Sequence, residues 1–407
     1  MTMTKKLRTK KHLEQKGLIT MMGLLTLVCL QTGCSSDDIE EEVTGMGKPI
    51  ELRMSVAVYQ ETTRATETRA WRPPTGFDRY DGTDKVIGIC FTQDNETPLQ
   101  GYFFYGGGQW RTSVEIANAG TYYLYGYTPH SGNNFACELS PATTVDDNSA
   151  YSAGATMTFR RLPNVNTNDL CIVVGATNGK SSYKSDADYS VAELSYGNFT
   201  YAAEPVDNVN SKNYVYLLFD HLYAALCINM RVHGDYDELR TIKLKELRLQ
   251  TYADDTPTAN GKRNDVTVTL RNNNEGNNPI EQIAYTPLDD EDEEGTAFYH
   301  SEKGTRLLFG TYQSFQGYFL PLNVNKLALT SVYDIYDKNV TTQNPDGNLI
   351  RQDCMATNTI VLKDLISGQD QAARGRRYTI YMTIQPTYLY VLSEPDLDNP
   401  SVTLTTN

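Results

Sequence analysis

The sequence is poor in the residue types that carry most enzyme chemistry. Its 407 residues include five histidines and seven cysteines. No two cysteines have CxxC spacing, so neither a zinc site nor a thioredoxin-like centre has support. There is no GxSxG, HExxH or P-loop motif, and no GxGxxG between a strand and a helix. His12 lies in the basic leader, and His130, His221, His233 and His300 are scattered. His221 reads as a packed structural residue rather than a ligand. The acidic run at 288–295, LDDEDEEG, lacks the alternating spacing of a calcium loop and reads as a solvated loop. Basic residues are also scarce. The 36 Lys and Arg face 50 Asp and Glu, for a formal charge of −14. That balance excludes nucleic acid, whose affinity depends on neutralising phosphates. Long apolar runs are missing too. The longest, Leu18–Leu30, falls short of the ~20 residues of a spanning helix. No enzyme activity, cofactor or metal is expected.

What is there begins with the leader. Lys5, Lys6, Arg8, Lys10, Lys11 and Lys16 precede the apolar run, with Glu14 the one acid among them. A basic flank, a short apolar core and small residues describe a secretory signal over residues 1–33. Leu30-Gln31-Thr32-Gly33-Cys34 resembles a lipobox, with cleavage between Gly33 and Cys34 and lipidation of Cys34. It departs from the usual pattern at Gln31, where Leu is common. Cys29 is a poor rival, since Val28 precedes it. Two or more acyl chains on Cys34 would anchor the chain stably, each buried CH₂ contributing about 0.8 kcal/mol. Residues 1–33 contribute +5, leaving about −19 from Cys34 onward. The following SSDDIEEE opens an acidic tether over 34–50. It resembles the signal that sends Bacteroidetes lipoproteins to the cell surface. Five cysteines remain after Cys34, an odd number. Cys90, Cys171 and Cys227 sit in apolar runs and read as small buried hydrophobes.

The periodicity is that of strands. In 51–58, ELRMSVAV, the residues Leu52, Met54, Val56 and Val58 share one face. In 378–385, YTIYMTIQ, Ile380, Met382 and Ile384 alternate with Thr379, Tyr381 and Thr383. Segments 214–219 and 265–270 behave alike. Such alternation means one packed face and one wet face. Gly, Asn, Asp and Pro clusters at 105–109, 271–279 and 344–348 read as turns. The 28 tyrosines fit strands, and no amphipathic helix of ~12 residues follows the leader. The expectation is an all-β fold of two sandwiches. The polar stretch 178–213 separates an N-terminal domain, 51–205, from a C-terminal domain, 206–407.

Several landmarks resemble the fimbrillin family, subunits of the type V pili of Bacteroidetes. TRATETRAW (63–71) and DKVIGICF (84–91) resemble its Thr-Arg-Ala-Thr opening and the strand after it. TYYLYGYTPH (121–130), DLCIVVGATN (169–178) and FDHLYAALCINMRV (219–232) follow in the family's order. So do GYFLPL (317–322), LTSVYDIYD (329–337) and RRYTIYMTIQPTYLYV (376–391).

The resemblance implies two tandem transthyretin-like β-sandwich domains in a surface fimbrial subunit. It also implies that an arginine-specific protease cuts near the N-terminus, that the first strand leaves, and that another subunit's strand replaces it. Arg64 and Arg69 are the candidate cut sites; Arg72 is the poorest, because Pro73 follows. The departing strand would carry Leu52, Met54, Val56 and Val58. Tyr388–Leu392 and Ser401–Leu404 are the donor candidates. The implied partners are other fimbrial subunits, the outer membrane through the lipid, the protease, and a host or glycan receptor. If the lipid is kept and no cut occurs, the chain would be a fimbrial anchor. The alternative, from a different class, is a surface glycan-binding lipoprotein of a polysaccharide-uptake system.

Overall fold

The computed structural model describes residues 48–404 apart from 58, 62–70, 73–85, 93–96, 107, 117, 131–134, 141–143, 146–150, 179–198, 204–213, 254–255, 258–262, 272–278, 289–294, 366–369 and 390–393. The fold is all-β, as expected. Among the described residues the only helices are Gly234–Leu239 and Leu362–Leu365.

The strands form four sheets around two cores. A ten-stranded sheet runs in the spatial order Lys48–Pro49, Gln109–Thr112, Leu99–Gly106, Val86–Thr92, Gly120–Thr128, Cys171–Asn178, Tyr214–His221, Glu51–Ala57, Trp71–Arg72, with Thr200–Ala203 also pairing Gly120–Thr128. A five-stranded sheet carries Tyr151–Pro163 against the hairpin Arg263–Arg271 and Ile280–Pro287. The first core draws Ile87, Ile89, Tyr125 and Ile172 from the ten-stranded sheet, and Met157, Phe159, Val266 and Val268 from the five-stranded one. The second core draws Leu226, Ile228, Met230 and Ile380 from a six-stranded sheet, and Leu244, Leu247, Leu329 and Ile360 from another of five strands.

Sequence pattern explains most of this locally. Tyr378, Ile380, Met382 and Ile384 alternate inward along Arg376–Leu389 and are buried, the two-residue period of a strand with one packed face. Lys326–Tyr336 is buried almost throughout and is an interior strand of its sheet, paired with Thr241–Ala253 on one side and Leu349–Val361 on the other. In Thr241–Ala253, Leu244 and Leu247 are three apart and would face opposite ways in a regular strand. A register shift between Leu244 and Glu246 turns both inward. Gly88 and Gly126 stand where neighbouring strands touch. A Cβ on Gly126 would come 2.1 Å from the Gly88 carbonyl oxygen.

Three placements could not be read from pattern. Thr200–Ala203 is a strand inside the polar stretch 178–213, with Phe199 buried and stacked on Tyr123 at 4.8 Å. Tyr214–His221, beyond the expected boundary at 205/206, lies in the ten-stranded sheet. The hairpin spanning 263–287 packs into the first core. Of the cysteines, Cys90, Cys171 and Cys354 are buried, while Cys137 and Cys227 are half-buried; among the described residues none forms a disulfide.

Candidate functional site

The first strand occupies an unusual position. Lys48–Pro49 pairs with Gln109–Thr112 at one end of the ten-stranded order. Ile50 continues along that edge, its N–H donating to the Trp110 carbonyl at 3.0 Å. Directly afterwards, Glu51–Ala57 pairs in parallel with Tyr214–His221, near the other end of the order. Ten residues of one chain therefore run from one end of the sheet order to the strand next to its other end. Among the described residues, this parallel pairing is the only one in that sheet, its other ladders being antiparallel.

The inward residues hold the strand to the core. Ile50 and Leu52 are each 7% exposed, and Met54 and Val56 pack half-buried against the same cluster. Full burial of side chains of this size contributes roughly 1.5–3 kcal/mol each. Val58, Arg64, Arg69, Gly33 and Cys34 lie outside the described residues. The backbone of Arg72 pairs opposite Val56. Of the donor candidates, Ser401–Leu404 belongs to the strand Glu394–Leu404, which lies along Arg376–Leu389. Tyr388 and Leu389 end the latter strand, and residues 390–392 lie outside the described residues.

The end of the first strand is gripped by polar groups around His221, a packed residue as the sequence suggested, whose partners the sequence did not indicate. His221 Nε2 donates to the Ala57 carbonyl oxygen at 2.6 Å, and Nδ1 lies 2.6 Å from Asp169 Oδ2. The Tyr59 ring stacks on the imidazole, with centroids 3.7 Å apart and planes inclined by 22°. Next to it, the fully buried Asp220 carboxylate accepts from Arg374 Nη1 at 2.6 Å and from the His221 N–H at 2.9 Å. Arg374 also donates to the His221 carbonyl at 3.2 Å. The chain then crosses to the six-stranded sheet. Gln60 N–H donates to the Gly375 carbonyl at 3.0 Å, and Gln60–Glu61 runs parallel to Arg376–Arg377.

The electrostatics follow from this packing. Burial alone would lower the pKa of His221. The charge of Asp169 and the hydrogen bond to it outweigh burial and raise it. Burial pushes the Cys171 thiol and the Tyr59 hydroxyl up, so both stay protonated. Among the described residues, Asp169, Cys171 and His221 form the one trio within metal-ligand reach. Its spacing is that of hydrogen bonds. The 2.6 Å between Nδ1 and Oδ2 is well below the roughly 3.3 Å left between two donors in a tetrahedral shell with bonds of ~2.0–2.1 Å.

The fold and this strand seat define an all-β protein whose first strand closes a sheet between two distant edges. No family model and no curated protein matches the chain. Solved structures similar to it include a fimbrial protein from Bacteroides vulgatus, 15% identical, with a TM-score of 0.37 over 88% of this chain and 98% of the other. Another, described as a cell adhesion protein from Bacteroides uniformis, is 13% identical, with a TM-score of 0.34 over 86% and 97%. A third, described as polysaccharide binding proteins from Bacteroides thetaiotaomicron, is 10% identical, with a TM-score of 0.29 over 82% and 91%.

Proposed function

We propose that this chain is a structural and adhesive subunit of a surface fimbrium. It is exported as an outer-membrane lipoprotein through Cys34 and assembled by strand exchange after cleavage at Arg64 or Arg69. The observation that carries the reading is the position of Lys48–Ala57. Once the connector is cut, only non-covalent contacts hold a strand whose departure would open two sheet edges and an apolar groove. Such a groove templates a strand from another chain: backbone hydrogen bonds supply affinity and alternate side chains supply register. An incoming strand would have to imitate Ile50, Leu52, Met54 and Val56. The two cores, each drawing on two sheets, support the tandem transthyretin-like arrangement that the family resemblance implies. The work done is assembly and attachment, not catalysis.

The test is digestion of the purified mature chain with an arginine-specific protease. A ladder of SDS-resistant oligomers that appears only after cutting supports the reading. A cut chain that stays monomeric and keeps residues 48–57 contradicts it.

A further inference from the structure

We propose that His221 is a proton-dependent latch on the first strand, gripping the Ala57 carbonyl only while a proton also sits between its ring and Asp169. The inference rests on the strand-exchange reading and adds a condition to it: the cut strand leaves more readily as pH rises.

The geometry carries the argument. Both ring nitrogens of His221 lie 2.6 Å from oxygens, one a carbonyl that can only accept and the other a carboxylate oxygen. A neutral imidazole has one N–H and one bare lone pair. With Nε2–H committed to Ala57, a second proton must lie between Nδ1 and Oδ2 for that approach to be attractive. Remove it, and a lone pair faces a carboxylate in a site where His221 is 4% exposed. The ring can then satisfy Asp169 or Ala57, but not both.

The other groups facing the ring do not replace that proton. Asp220, on the same strand, is paired with Arg374 and adds a smaller attraction for the ring proton than Asp169 does. The Cys171 thiol, from the neighbouring strand, lies 3.7 Å from Asp169 Oδ2 and 3.5 Å from the ring Nδ1. Tyr59 covers one ring face, with Tyr318 tilted 6.3 Å from it and the Arg377 guanidinium 5.4 Å over it. Asp169 is thus the partner that sets the charge of His221.

The sign follows. The ring's proton affinity is raised in the folded chain. Its contribution is complete below about pH 6.5, the ordinary histidine value, and is lost as pH rises through the raised value. A buried, charge-assisted hydrogen bond supports a change in release rate of roughly tenfold or more.

The mature chain is cut at one pH and then shifted to a series of values from 6 to 9. Loss of the N-terminal fragment is followed by mass. The wild type is expected to release the fragment roughly tenfold faster at the alkaline end. His221→Gln, which keeps a donor for Ala57 without titrating, is expected to give a flat profile. If that variant does not fold, NMR titration of the imidazole in the uncut wild type decides, with a pKa at or below the ordinary value overturning the latch. A fragment that leaves at one rate across the range overturns the latch and spares strand exchange. A fragment that never leaves overturns both.

Discussion

The amide of Ile50 donates to the carbonyl of Trp110 at 3.0 Å, while two residues later Leu52 pairs with Val215 in the strand near the opposite end of the sheet order. The segment therefore closes the sheet, and its removal would affect both ends. Leu52→Asp places a carboxylate among buried side chains at a position only 7% exposed. The expected cost is about 3–5 kcal/mol. Chemical denaturation of the uncut chain checks it, and a loss under 1 kcal/mol would show that the strand contributes little to the fold.

Asp220, fully buried, and Arg374, partly buried, form the ion pair beside this closure. Arg374→Met leaves the fully buried Asp220 carboxylate without its countercharge. Breaking a buried pair from one side costs about 3–5 kcal/mol. Denaturant midpoints for Arg374→Met alone and with Asp220→Asn separate the charge effect from packing. The double variant is expected to recover part of the loss.

Some of this was legible in the sequence and some was not, for a consistent reason. The alternation in Glu51–Ala57 and in Arg376–Leu389 depends on neighbours two residues apart, so a linear reading finds it. The family resemblance marked segments 169–178 and 219–232, which hold the strand Cys171–Asn178 and the end of its partner Tyr214–His221, but not that Tyr214–His221 also pairs with Glu51–Ala57. The clamp depends on His221 meeting Asp169 and Ala57, which are 52 and 164 residues away, and no periodicity reports such a meeting. The bulge at Leu244–Glu246 was hidden for a related reason: it is defined by register against the partner strands Lys326–Tyr336 and Thr296–Leu307, which are distant in sequence. The strand Thr200–Ala203 was hidden by its polar flanks. Val58, Arg64 and Arg69 were read from the sequence alone.

Gly126→Ala is expected to destabilise by more than a simple glycine replacement in a strand, because the new Cβ would meet the Gly88 backbone oxygen at 2.1 Å. Strands Val86–Thr92 and Gly120–Thr128 would have to separate. Overpacking of this kind costs typically ~1–3 kcal/mol. Thermal unfolding checks it, and an unchanged or raised Tm would contradict the close approach.

Asp337 organises an exposed loop by accepting from the backbone and side-chain amides of Asn339 and Asn348. The Asn348 hydrogen bonds come first in holding its pKa down to about 2. A depressed carboxylate contributes order above its ordinary value near 4 and loses it as pH falls through the lowered one. The Asn348 amide is therefore expected to stay protected from hydrogen exchange at pH 4 and to lose protection near pH 2. Asp337→Ala should remove that protection at every pH.

The central claim is that the first strand is expendable and exchangeable, and the N-terminus of protein recovered from the cell surface tests it most directly. Mass spectrometry of surface oligomers is expected to find chains beginning at Ala65 or Ala70, with residues 48–57 gone and their place filled by another subunit. Chains beginning at acylated Cys34, with Glu51–Ala57 still paired to Tyr214–His221, would contradict it.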